Sequence, residues 1–182
     1  MKYLRLIEKH INYWTKLLLI FGILIILTPS SLCNGDELMN VELKYPTYFE
    51  MIQKRINYIE SQEFEYSLML EYVDLVGINN KFTVISQSIL ETNTFKSDIF
   101  IENNNLFGMK QPSVRPTTAT GTNRNHATYE HWTCSVKDYK LWYEYMTRNK
   151  TYYNYYSFLT NIGYAEDVQY IGKLKTIKNN LN

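Results

Sequence analysis

Glu91 closes an apolar, helix-like stretch, and Gln87 stands one turn before it. A short charged connection follows, and then an asparagine run turns into Leu106-Phe107-Gly108. A carboxyl at the C-terminal end of a helix faces the negative end of the helix dipole, which disfavours its ionised form. Burial against Leu90 or Phe95 would act in the same direction. Both effects favour a carboxylic acid that is still protonated near neutral pH, the state a general acid for glycoside cleavage needs. The bland reading of the same residue is a solvated glutamate at a helix end. Asn104 and Asn105 offer amide donors and acceptors and tolerate left-handed backbone, so they serve either to position a ligand or to make a turn. Gly108 permits close backbone approach.

The elements that must position these groups follow from apolar spacing. Thr47 to Ser61 has Phe49, Ile52, Ile56 and Ile59 on one helical face. A second helix is expected over Glu63 to Val76, with Gly77 as its stop, and a third over Lys81 to Glu91. Lys96 to Glu102 is expected as a short helix or turn. From Asn103 to Tyr129 the periodicity vanishes, and Pro112, Pro116, Gly121 and many threonines suggest an extended loop or small hairpin. Helix returns at Thr133 to Met146, Tyr152 to Asn161 and Glu166 to Lys178. The fold class is therefore α+β, mostly α, with a small β lobe or irregular insertion in the middle, the layout of a lysozyme-like domain. The tyrosines at 152, 153, 155 and 156 spread around a helix and read as packing.

The first 33 residues differ from the rest. Lys2, Arg5, Lys9 and Lys16, offset by Glu8, precede an apolar run from Leu17 to Leu27 that only Gly22 interrupts. This pattern reads as an export signal. Ser31 and Cys33 are small residues suited to cleavage, while Trp14 and Tyr13 would suit the interface of an uncleaved anchor. Residues 1–33 are thus a signal peptide or membrane anchor, 34–46 a linker and 47–182 the working domain. The expected location is outside the cytoplasm: periplasmic, in the cell envelope or membrane-anchored. Of the 19 basic and 18 acidic residues, four and one lie in 1–33, leaving 15 and 17. No basic stripe remains to neutralise phosphates, so nucleic acid is not an expected partner. Cys134 is then the only cysteine, so no internal disulfide supports the domain.

Four blocks of this sequence resemble the glucosaminidase family, glycoside hydrolase family 73. They are Leu90-Glu91-Thr92 with Ser97, then Asn104-Asn105-Leu106-Phe107-Gly108-Met109-Lys110, then Tyr129 to Trp142, and last Gly163-Tyr164-Ala165-Glu166-Asp167 with Tyr170. They stand in family order and cover about Phe82 to Lys178. The resemblance implies a lysozyme-like fold and hydrolysis of the β-1,4 bond after N-acetylglucosamine in peptidoglycan. Glu91 would be the acid/base, and Tyr164 would face it across the cleft and touch the N-acetyl group or the developing charge. Asn104, Asn105, Gly108, Arg115, Thr117, Thr118 and Tyr129 are the residues expected to bind the glycan. Asp138 falls within a helix and is expected to make a structural contact. No cofactor or metal is expected. The partners are peptidoglycan glycan strands, and a membrane if residues 1–33 are retained.

Two departures from the family pattern bear on mechanism. Asn93 stands where the family usually has glycine; if that site is left-handed, asparagine is the next best fit. Between Asn103 and Tyr129 there is no Asp or Glu, where a two-acid mechanism expects a second carboxylate. Either Glu130 fills that role or the substrate's own acetamido group attacks the anomeric carbon, and the second is preferred. A Cys–His peptidase built from Cys134 with His126 or His131 is a weaker reading, because all three lie within nine residues. A zinc site from the same three fits no familiar ligand spacing. The alternative from another class is a non-catalytic wall-binding or membrane-anchored structural protein with the same fold.

Overall fold

The computed structural model describes residues 47–181. The expected signal peptide or membrane anchor over 1–33 and the expected 34–46 linker lie outside the described residues. Among the described residues, no helix is long and apolar enough to cross a membrane.

The described residues form seven helices and one hairpin. Helix α1 (Tyr48–Ile59) opens with a capping box, in which the Glu50 amide donates to Thr47 Oγ1 at 3.2 Å and the Thr47 amide donates to Glu50 Oε2 at 2.5 Å. Helix α2 (Tyr66–Leu75) buries Met69, Tyr72 and Val73, and Arg55 of α1 grips Glu71 with two bonds of 2.7 Å. Gly77 stops α2 in the left-handed region at φ +70°, and the Ile78 amide reaches back to the Val73 carbonyl. Helix α3 (Lys81–Glu91) has the bounds its periodicity suggests and buries every residue from Thr83 to Ser88. Such a helix is enclosed on most sides, and α7 (Tyr170–Asn180) forms its main partner.

A left-handed turn leaves the end of α3. Asn93, Thr94 and Phe95 have φ of 48°, 58° and 62°. Thr92 Oγ1 donates to the Ser88 carbonyl at 2.6 Å and accepts from the Phe95 amide at 2.9 Å, which holds the turn. Asn93 thus occupies the left-handed site for which asparagine is the second choice after glycine. Thr94 is a β-branched residue in the same region and is exposed. Replacing Thr94 by glycine is expected to stabilise the fold by about 0.5–1 kcal/mol, since strain relief exceeds the added freedom of the unfolded chain. Urea denaturation checks this, and a lower midpoint would show that the threonine side chain contributes something glycine cannot.

Ser97 caps the short helix α4 (Asp98–Asn103), accepting from the Phe100 amide at 3.2 Å. The lobe that follows is mostly irregular. Its one regular part is the antiparallel hairpin β1 (Gly121–Asn123) and β2 (His126–Thr128), in register Gly121 with Thr128 and Asn123 with His126. Arg124 and Asn125, both at positive φ, form the two-residue turn that matches strand twist. Helix α5 (Trp132–Thr147) starts at a His131 cap, and α6 (Tyr155–Asn161) starts at an Asn154–Ser157 capping box. That box explains why α6 begins later than its apolar pattern suggests.

The core is unusually aromatic. Phe64 meets Phe95, Phe100 and Trp132 at centroid distances of 4.8, 4.8 and 5.6 Å. Phe107 stacks on Tyr139 at 4.2 Å. The observed architecture is the expected one, mostly α with a small two-stranded lobe in the middle.

Candidate active site

Glu91 stands at the end of α3 on the wall of an open cleft of about 730 Å³. Leu90, Phe107 and Gly108 flank it; Trp142, Met146, Tyr164 and Tyr170 complete the apolar and aromatic side. Lys110, Arg115, Glu166, Asp167 and Lys173 bring charge to the rim. Burial raises the Glu91 carboxyl above the ordinary carboxylate range, and a hydrogen bond from Tyr170 with the nearby His126 ring partly offsets that rise. The Tyr170 hydroxyl donates to Glu91 Oε1 at 2.7 Å. The other oxygen, Oε2, faces Gly108, where a built Cβ would lie 3.4 Å from it. Gly108 is also at φ +61°, so both its backbone and its bareness serve the approach to Glu91.

The asparagine run builds the turn behind this wall. Asn105 is buried, and its side-chain amide donates to the carbonyls of Met109 and Ala127, each at 2.9 Å. Its Oδ1 accepts from the amides of Phe107 and Met109. Asn104 is left-handed at φ 53° and donates to the carbonyls of Tyr129 and Glu130. Neither residue lines the cleft. Of the two roles open to them, turn-making is the one their bonds serve; glycan positioning finds no free group on Asn105. Ser135 of α5 accepts from the Leu106 amide at 3.0 Å and fixes the turn to the helix.

The remaining expected residues divide. Tyr164 lines the cleft with Glu91, donates to the Phe107 carbonyl at 3.2 Å and meets Trp142 edge-on at 5.3 Å. Arg115 also lines the cleft, but its guanidinium forms a fork to buried Asp138, at 2.8 Å to Oδ1 and 2.9 Å to Oδ2. Tyr129 is buried and donates to the same carboxylate at 2.9 Å. Thr118 donates to the Cys134 carbonyl at 2.6 Å, and Thr117 accepts from the Ala119 amide at 3.0 Å. Tyr129, Thr117, Thr118 and Glu130 are not among the cleft walls, and Glu130 is exposed. The Tyr129 hydroxyl is spent on Asp138 inside the protein. Asp138 makes the structural contact expected of it.

Sequence reasoning passed over Tyr170, Trp142 and Lys173 as individual site residues. The signal for Tyr170 was its place in the last sequence block and for Trp142 its place at the end of the third; Lys173 carried none beyond helical spacing. His131 has its Nδ1 at 2.7 Å from Thr133 Oγ1 and its Nε2 at 2.7 Å from the Gln62 carbonyl, so neither nitrogen is left for Cys134. Among the described residues, no three His, Cys, Asp or Glu side chains are grouped to hold a metal ion.

A half-buried acid on the wall of an aromatic-lined cleft, on a mostly helical domain with a small β lobe, describes a glycosidase-type hydrolase. Residues 66–182 match the model of the glucosaminidase family, described as mannosyl-glycoprotein endo-beta-N-acetylglucosaminidase, and the chain belongs to that family. It is also similar to the catalytic domain of the autolysin Auto from Listeria monocytogenes. The identity is 22%, the match covers 84% of this chain and 96% of that one, and the TM-score is 0.40. No curated protein matches.

Proposed function

We propose that this chain is a peptidoglycan hydrolase, an endo-β-N-acetylglucosaminidase that cuts the β-1,4 bond after N-acetylglucosamine. Residues 47–182 are the catalytic domain, 34–46 a linker, and 1–33 the signal or anchor that places it outside the cytoplasm. The observation that carries the reading is Glu91, a half-buried carboxyl on the cleft wall in surroundings that favour its protonated form.

In the first step Glu91 gives its proton to the glycosidic oxygen as the bond to the anomeric carbon breaks. The acetamido oxygen of the same sugar attacks that carbon and closes a five-membered oxazolinium ring. The leaving chain departs as an alcohol. Glu91, now ionised, takes a proton from water, and the water oxygen opens the ring with net retention. Substrate assistance is preferred because Glu130, the first carboxylate after the lobe, does not line the cleft, and of the two further carboxylates that do, Glu166 and Asp167, Asp167 is paired with Lys173. Tyr164 lines the same cleft as Glu91, and in this reading its ring meets the acetamido group.

The test is mass spectrometry of the sugar ends that the full chain releases from purified peptidoglycan. New reducing N-acetylglucosamine ends are expected. Reducing or anhydro N-acetylmuramic ends would keep a glycosidase but change the bond cut. No new ends from folded protein would favour the non-catalytic wall-binding reading.

A further inference from the structure

Beside Glu91, four helices place buried polar groups that run from the interior to Tyr170 on the cleft wall. Gln87 of α3 is fully buried one turn before the acid. Its Oε1 accepts from the hydroxyl of Tyr139 on α5 at 2.6 Å and from that of Tyr155 on α6 at 2.8 Å. Those two hydroxyls also touch each other. Its Nε2 donates to the hydroxyl oxygen of Tyr170, the first residue of α7, at 3.4 Å. Tyr170 passes its own hydrogen to Glu91 Oε1 at 2.7 Å.

The direction of these bonds follows from what each group can do. An amide has one accepting end and one donating end. Two phenols occupy the accepting end of Gln87, so its NH₂ must point at Tyr170. A phenol has a single hydrogen. With the Gln87 amide donating to its oxygen, Tyr170 is left to donate to Glu91. A carboxyl whose Oε1 accepts that hydrogen carries its own proton on Oε2, the oxygen turned to Gly108 and the cleft.

We propose that Gln87 and Tyr170 are positioning residues that hold the acidic proton of Glu91 on Oε2, the oxygen that meets the substrate. The proposal rests on Glu91 being the general acid. It assigns the buried network a task beyond packing: it sets which oxygen donates and fixes the carboxyl plane against the cleft wall.

Two variants separate this role from a structural one. Tyr170→Phe keeps the ring and removes the donor to Glu91. Gln87→Met is similar in size and removes the amide that donates to Tyr170, which frees the hydroxyl to turn away from Glu91. The readouts are the ¹³C-carboxyl NMR titration of Glu91 in the full chain, assigned with Glu91→Gln, and the pH profiles of kcat and KM on peptidoglycan fragments. In both variants the Glu91 midpoint is expected to rise, and the alkaline limb of kcat to rise with it. kcat is expected to fall about tenfold with KM changed less than about twofold, the loss of one charge-assisted bond. Tyr155→Phe, which removes one of two donors to Gln87, supplies a milder variant expected to move the midpoint less in the same direction.

Unchanged midpoints and pH profiles in folded variants, with rate loss tracking only the unfolded fraction, would overturn the proposal. The titration needs no substrate. If Glu91→Gln proved fully active, the acid assignment would fall while the NMR midpoints still reported whether the network orients the carboxyl.

Discussion

Glu91→Gln is expected to fold and to release sugar ends about 10³-fold more slowly than the parent, the usual loss when a general acid is removed. The substitution is close to isosteric. The new Oε1 can still accept from Tyr170, and the amide then faces Gly108 in place of Oε2. Stability should not account for the loss, and its pH dependence can show this. Burial holds the Glu91 carboxyl above its ordinary range, so the native state binds more protons than the unfolded chain between the two values. Its contribution to stability is therefore present in acid and lost as pH rises through the folded value. Glutamine carries no such dependence. The variant should be at least as stable as the parent at about pH 8, with the advantage fading toward about pH 4. Thermal unfolding at several pH values, beside end-group release, checks both halves. Near-parent release by a folded Glu91→Gln would sink the assignment.

Much of the architecture was legible in the sequence because it rests on short-range signals. The bounds of α3 follow from Phe82, Ile85 and Ile89, and the stop of α2 from Gly77. Glu91 was legible as a candidate because a helix end is a local feature, and it lies on the cleft wall. What stayed hidden depends on long-range pairing. Arg115 looks like a free cation in an irregular lobe, and nothing nearby in sequence points to Asp138, 23 residues on. Tyr170 and Gln87 are 83 residues apart, and only the packing of α7 on α3 joins them. The starts of α6 and α7 also escaped periodicity. At α6 the side chain of Asn154 sets the boundary. Before α7, residues 166 and 167 turn to the cleft instead of extending the helix.

The Arg115–Asp138 pair ties the irregular lobe to α5, and breaking it should have the second large effect. The side chain of Arg115 is 5% exposed and that of Asp138 not at all. Asp138→Ala would leave a buried guanidinium and the Tyr129 hydroxyl without their acceptor. A loss of about 3–5 kcal/mol in unfolding free energy is expected, most of it the cost of the unpaired charge. Replacing both partners by apolar residues, Arg115→Met with Asp138→Leu, should recover most of that loss, because the desolvation of two ions goes with the pair. Urea denaturation of the singles and the double gives the coupling directly.

Acid should expose the same interaction. Burial alone would raise the Asp138 carboxyl, but the Arg115 fork and the Tyr129 hydroxyl hold it below its ordinary value. Its stabilising contribution is thus full above the unfolded value, about pH 4, and is lost as pH falls through the folded one. The parent should therefore lose stability in acid more steeply than the apolar double variant. The double also separates two uses of Arg115, which lines the cleft while it pairs inside the protein. If the guanidinium only anchors the lobe, the restored double keeps its KM. If it also binds the glycan, stability returns and KM stays raised, because methionine fills the space without offering a donor to the sugar.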